Sequence, residues 1–297
     1  MIYLDNNATT PVDPRVVEYA LPFLTETYGN ASSTHPFGQR ANGAVNQARE
    51  HLARLLNAAD PEEIFFTSGA TEALNLVIKG VAELRADRGR HLVTVQTEHP
   101  AVLDCHAYLE QRGYEVTYLP VQPDGLIDLN ALRDVLRPDT VLVSVMAVNN
   151  ETSVIQPIRE IAALAHERGA LSLTDATQAV GKLPLDVRAD GVDLLTFSGH
   201  KFHAPKGVGG LYVRGSKTAL RLPALLHGGG HEKGLRSGTL NVFGIAAMGY
   251  AAHLATGEMN ANAKKVGKLR DALEAELLRI EGACVNGSTT HRLHNVT

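Results

Sequence analysis

A lysine closes an apolar run in this chain: Val192-Asp-Leu-Leu-Thr-Phe197 leads directly into Ser198-Gly-His-Lys201. An ammonium drawn out of water there has its pKa lowered and its lone pair freed. Such an amine attacks an aldehyde to give a Schiff base, so the chemistry on offer at Lys201 is covalent capture of a carbonyl compound. A single lysine at a strand-to-loop turn is ordinarily just exposed, so other residues must make this one different.

Three other apolar runs end in residues that complement it. Leu171-Ser-Leu-Thr-Asp175 reads as a short strand ending in a carboxylate, which can keep a facing pyridine nitrogen protonated and its ring electron-withdrawing. Ile64-Phe-Phe-Thr-Ser-Gly69-Ala-Thr-Glu72 is an apolar strand running through small residues into a helix. Small residues let an anion approach the N–H groups of a helix start, where the dipole also favours negative charge. Leu92-Val-Thr-Val-Gln-Thr-Glu-His99 ends in an imidazole able to stack on a planar ring and move protons near neutral pH. Each signal is weak alone, because helix caps and turns use the same residue types. An aldehyde, a pyridine ring and a phosphate on one molecule describe pyridoxal 5′-phosphate, and in open α/β sheets the carboxyl ends of strands are where ligands collect.

Seven motifs, in register from Ile2 to Thr297, turn this into a resemblance: Asp5-Asn-Asn-Ala-Thr-Thr-Pro11, Ser68-Gly-Ala-Thr-Glu72, Thr97-Glu-His99, Val148-Asn-Asn-Glu151, Asp175-Ala-Thr-Gln178-Ala-Val-Gly-Lys-Leu-Pro, Ser198-Gly-His-Lys201 and Gly228-Gly-Gly-His-Glu-Lys-Gly-Leu-Arg-Ser-Gly-Thr239. Together they resemble the cysteine desulfurases of iron–sulfur cluster assembly, pyridoxal-phosphate enzymes of the class V aminotransferase group. The resemblance implies that Lys201 tethers the cofactor as a Schiff base, Asp175 pairs with the pyridinium, Gln178 bonds the ring hydroxyl, and His99 stacks on the ring and shuttles protons. It implies a phosphate site made of Ala70, Thr71, Ser198 and His200, and a contact of Asn150 with cofactor and substrate carboxylate. Thr239 would reach the phosphate of a second subunit, so a homodimer is expected. The substrate would be L-cysteine and the products alanine and a persulfide, handed to an iron–sulfur scaffold or another sulfur-acceptor protein. A selenocysteine lyase or small aminotransferase would also use Lys201 and Asp175, but Val148-Asn-Asn-Glu151 and the Gly228–Thr239 stretch look more like desulfurase.

One part of the family pattern is missing. Its catalytic cysteine and its main carboxylate-binding arginine lie C-terminal to the segment that Arg292-Leu-His-Asn-Val-Thr297 resembles. The expectation is therefore a chain that forms the cofactor adduct but by itself releases little alanine or sulfide, or else a non-catalytic cofactor-binding remnant. Neither cysteine present is a convincing substitute. Cys105 lies six residues beyond His99, off its face at about 100° per helical residue, and Cys284 sits in the apolar Ala283-Cys-Val285; both read as buried small hydrophobes. No Cys or Cys/His spacing suggests a metal site.

Composition restricts the alternatives. Two cysteines in 297 residues, no secretory pattern at Met1 and no bilayer-length apolar run point to a cytoplasmic protein outside the membrane. A net charge of −4 with mixed signs gives no basic face for nucleic acid. With no Trp and only 5% aromatics, the core must be aliphatic.

The elements that position these residues follow from periodicity. Helical patterns near 40–56, 72–85, 100–112, 128–137 and 157–168 interleave with apolar runs near 64, 92, 115, 141, 171, 193 and 209. That rhythm predicts a three-layer α/β fold with a mainly parallel sheet, and the resemblance makes it the fold type I of pyridoxal-phosphate transferases. Residues 1–14 read as an N-terminal arm, 15–256 as the cofactor-binding large domain, and 257–297 as the beginning of an incomplete small C-terminal domain. Helices are expected at 242–255 and 258–280, the second with Met259, Val266, Leu269, Leu273, Leu277 and Ile280 on one face. Two short strands are expected near 283–285 and 293–297, marginal in water, with a frayed end and uncovered apolar surface.

Overall fold

All seven apolar runs become strands: β1 Ile64–Thr67, β2 His91–Val95, β3 Glu115–Leu119, β4 Thr140–Ser144, β5 Leu171–Asp175, β6 Leu194–Ser198 and β7 Gly209–Val213. The computed structural model describes residues 2–215 and 220–297. The strands form one sheet in the order β1-β7-β6-β5-β4-β2-β3. Pairings among β2, β3, β4, β5 and β6 are parallel, while β7 runs antiparallel to both its neighbours. Apart from the edge strand β3, these are near-continuous apolar runs, as expected of strands covered on both faces.

The covering helices are α1 Pro14–Ala20, α2 Pro22–Thr25, α3 Pro36–Leu56, α4 Ala70–Leu84, α5 Pro100–Glu110, α6 Leu129–Val135, α7 Ile158–Glu167 and α8 Val242–Leu277. Alternation along each strand sorts the two faces. Leu92, Leu142, Leu173, Leu194 and Leu211 pack with Leu74, Val77, Ile78 and Val81 of α4 and with Val102 and Leu109 of α5. On the opposite face, Ile64, Phe66, Leu195, Phe197 and Tyr212 meet α3 and α8, while Val93, Val95, Val143 and Val145 meet α6 and α7. The core is aliphatic, as the composition requires.

The C-terminal part differs from expectation in three ways. Residues 242–277 form one unbroken helix in place of the two expected at 242–255 and 258–280. No strand forms at 283–285 or 293–297; the one ladder contact is an isolated bridge between Val154 and Arg292. Two short strands with no third partner do not repay their ordering, whereas side chains on α8 offer better partners. Arg292 makes a bidentate pair with Glu274, and Arg270 donates to the carbonyls of Leu293 and Val296. Leu293 is consequently buried, and the end is pinned rather than frayed. Apolar surface is indeed left uncovered: Leu269, Leu273, Leu277 and Ile280 are exposed.

Candidate active site

The carboxyl ends of β1, β2, β4, β5 and β6 meet around a cavity of about 500 Å³, within the range of small-molecule sites. Its lining includes Ala70, Thr71, His99, Asn150, Asp175, Gln178, Ser198, His200 and Lys201. Parallel strands make this convergence inevitable, because they all deliver their final residues to one edge. Of the residues singled out from sequence, Thr239 is the exception: it is exposed and does not line the cavity of its own chain.

The turn after β1 gives an anion cradle. α4 begins at Ala70 after Gly69 with no side-chain cap, leaving the first N–H groups of a 15-residue helix facing the cavity. The start of β7 presses on this turn. A Cβ on Gly209 would lie 2.6 Å from the Gly69 Cα, so glycine there is what permits the approach. Ser198, at the end of β6, and His200, in the following turn, complete that side. His200 is fixed by its Nδ1 contact with Thr9 Oγ1 at 3.1 Å, and its pKa is lowered by burial and by the charges of Lys201, Lys206 and Lys182.

The other groups are set for a ring. Asp175 is buried, with one carboxylate oxygen accepting the Thr177 N–H at 2.9 Å. Burial pushes its pKa up, opposed by the Thr177 bonds and by the neighbouring His99 and Lys201. A cation brought to this carboxylate is therefore favoured. His99 caps α5: its Nδ1 accepts the Ala101 N–H at 3.1 Å, so in the neutral ring the proton sits on Nε2. Lys201 is half-buried, and burial lowers its pKa against the pull of Asp175, Asp5 and Glu151.

Several residues of this site carried no individual signal in the sequence. The carbonyl of Asn7 accepts hydrogen bonds from Lys201 Nζ and from Gln178 Nε2, the latter at 2.9 Å. Asn7 Nδ2 donates to the Asn150 carbonyl at 3.0 Å, and its Oδ1 accepts from Asn295 Nδ2 at 3.0 Å. Thr10 Oγ1 donates to the His200 carbonyl, which also takes the Thr10 N–H. The motif Asp5-Asn-Asn-Ala-Thr-Thr was visible, but its work as a strap over Lys201 needs residues almost 200 positions away. Lys182 donates to Gln178 Oε1, and burial together with the charge of Lys201 lowers its pKa to about 8. Glu98 is buried beside His99 with Oε1 accepting the Met146 N–H at 2.6 Å. Asn149, the neighbour of Asn150, is a turn-former: its Oδ1 takes the N–H groups of Glu151 and Thr152, and its Nδ2 donates to the Thr97 carbonyl.

Neither cysteine lines the cavity. Cys105 is buried, as its pattern implied, and burial raises its thiol to about 11. Cys284 was expected to be buried and is exposed; the segment around it is irregular rather than a strand, so nothing packs over it.

The residues present fit pyridoxal 5′-phosphate. An uncapped helix start approached by a glycine strand suits its phosphate, a buried carboxylate with one N–H partner suits its ring nitrogen, and a desolvated amine suits its aldehyde.

Comparison with known proteins agrees with the geometry. A family model described as Aminotransferase class-V matches residues 2–297. The chain is 53% identical over 297 residues to the cysteine desulfurase IscS of Methylococcus capsulatus, covering 99% of this chain and 73% of that protein. Among solved structures, a NifS-like protein matches with a TM-score of 0.94 at 41% identity, over 99% of this chain and 80% of its own. SspA in complex with cysteine matches with a TM-score of 0.82 at 41% identity, over 85% of this chain and 72% of its own.

Proposed function

Because this chain belongs to the class V aminotransferase family, and within it to the pyridoxal-phosphate-dependent cysteine desulfurases, we propose that the cavity around Lys201 is where L-cysteine is held and its carbon–sulfur bond opened. The observation that carries this reading is the meeting of Lys201, Asp175, His99 and the start of α4 in one cavity. Pyridoxal phosphate bound there supplies an electron-withdrawing ring that acidifies the substrate's α-hydrogen.

The chain's own groups divide the remaining work. Lys201 is the tethering amine, and its lowered pKa leaves more of it unprotonated near neutral pH than an exposed lysine. Asp175 accepts the ring N–H, with its second oxygen free for that purpose. Gln178 is held by Asn7 and Lys182 with one amide hydrogen left for the ring hydroxyl. Ala70, Thr71, Ser198 and His200 take the phosphate, and Asn150 faces the substrate carboxylate. Lys201 Nζ and His99 Nε2 are the groups that take and return protons at the substrate carbons. In the desulfurase reaction a thiolate attacks the cysteine sulfur, the bonding pair stays on the β-carbon, and a proton completes the methyl group of alanine. That thiolate is neither Cys105, buried with a raised pKa, nor Cys284, away from the cavity.

The working unit we infer is a cytoplasmic homodimer that delivers sulfur to an iron–sulfur scaffold or similar acceptor. In support, Thr239 is exposed and does not line its own cavity, and among the described residues no helix is long and apolar enough to cross a membrane. Mixing the chain with pyridoxal phosphate tests the core of the reading. We expect a visible absorption band that changes on addition of cysteine and is absent in Lys201→Ala; a band that persists in that variant excludes Lys201 as the tether.

A further inference from the structure

We propose that Arg236 is a positioning residue for cofactor binding: its guanidinium neutralises Glu72 in the first turn of α4, so that this helix start accepts a phosphate dianion. The inference rests on the reading of α4 as the phosphate site. Glu72 lines the same cavity as Ala70 and Thr71, two residues beyond the start of the helix. A free carboxylate there would repel the doubly charged group the helix start attracts.

The geometry cancels that charge. Arg236 Nε donates to Glu72 Oε1 at 2.7 Å and Nη2 to Oε2 at 3.3 Å, a two-pronged contact with both side chains largely buried. Glu72 Oε2 also accepts the Ser68 N–H at 2.8 Å, which holds the carboxylate over the turn that leads into α4. Burial alone would raise the Glu72 pKa, but the Arg236 and Ser68 bonds outweigh it and keep the group ionised. A permanently charged carboxylate thus needs a permanent counter-ion.

Arg236 is itself held in place. It belongs to the Gly228–Thr239 stretch, which is anchored by the buried Glu232–Arg49 pair and by Lys233 on Glu62. The backbone around Arg236 bridges to Leu226, and the Ser237 N–H bonds the Leu226 carbonyl. The fork therefore arrives at Glu72 from a fixed loop, three residues before Thr239.

Phosphate selectivity tests the idea. Pyridoxal 5′-phosphate and pyridoxal are each titrated onto cofactor-free chain, with the visible band as readout and thermal melts as a check of folding. Arg236→Gln is expected to weaken the phosphate ester about tenfold relative to pyridoxal. Adding Glu72→Gln to that variant is expected to recover most of the loss, because the repelling charge is gone. Equal weakening of both ligands, or no recovery in the double variant, would overturn the proposal and leave the pair a purely structural clamp. No preference for the phosphate ester in the unsubstituted chain would instead overturn the phosphate reading of α4.

Discussion

The amine of Lys201 rests on the main-chain carbonyl of Asn7, 194 residues earlier in the chain. This contact closes the N-terminal arm over the site and aims an otherwise mobile side chain into a cavity beside Asp175 and His99. A carbonyl gives the amine a hydrogen-bond partner without a neutralising charge, so burial still governs its protonation.

Lys201 is therefore expected to react as an amine at lower pH than the exposed lysines. Brief treatment with pyridoxal phosphate followed by borohydride, with the modified peptides identified by mass, should label Lys201 ahead of the exposed lysines at neutral pH. Its labelling should rise with pH and level off below the ordinary lysine value of about 10.4, because the folded-state pKa is lowered. A midpoint at the ordinary value would show that the pocket does not desolvate the amine.

Glu98 gives a second pH signature, of opposite sign. Burial raises its pKa well above the usual carboxylate value, with the nearby Asp175 charge adding to the shift, while Oε2 has no hydrogen-bond partner. The folded chain then binds a proton that the unfolded chain gives up above about pH 4.3, so this group costs stability as pH rises, at about 1.4 kcal/mol per unit until its folded pKa is reached. Glu98→Gln should gain in urea midpoint over the unsubstituted protein at pH 8, with the gain shrinking toward pH 4. A variant destabilised equally at both pH values would mean that Glu98 is ionised in the fold.

The two thiols should separate cleanly toward an aromatic disulfide reagent. Cys284 is exposed and should react at once, whereas Cys105, buried and raised to about 11, should react only after denaturation. Replacing both by serine should leave the cofactor band and its response to cysteine unchanged. Loss of that response would implicate one of them in sulfur transfer.

Arg49 and Glu232 form a buried pair at 2.7 Å, and Glu232 also accepts the Phe66 N–H. Removing the cation leaves a buried carboxylate without its counter-charge, so Arg49→Met should cost about 3–5 kcal/mol in denaturant unfolding. Glu232→Gln in the same chain should restore part of it. If the double variant is no better than the single, the stacking of the Arg49 guanidinium on Phe66, 4.7 Å from the ring centre, is what matters there.

What the sequence determined by itself was the sheet and the identity of the groups at its edge. Local periodicity fixes strands and helices, and short-range motifs mark strand ends, so Lys201, Asp175, His99 and the Ala70–Thr71 turn were all legible as neighbours in a parallel sheet. The tertiary structure decided what locality cannot reach. The grip of Asn7 on Lys201, the neutralisation of Glu72 by Arg236 and the pinning of the C-terminal segment by Arg270 and Arg292 join residues from 18 to 194 positions apart. The strands expected at 283–285 and 293–297 failed for the same reason. Whether a short apolar segment pairs depends on which partners the fold brings beside it, and here α8 brought arginine and glutamate rather than another strand.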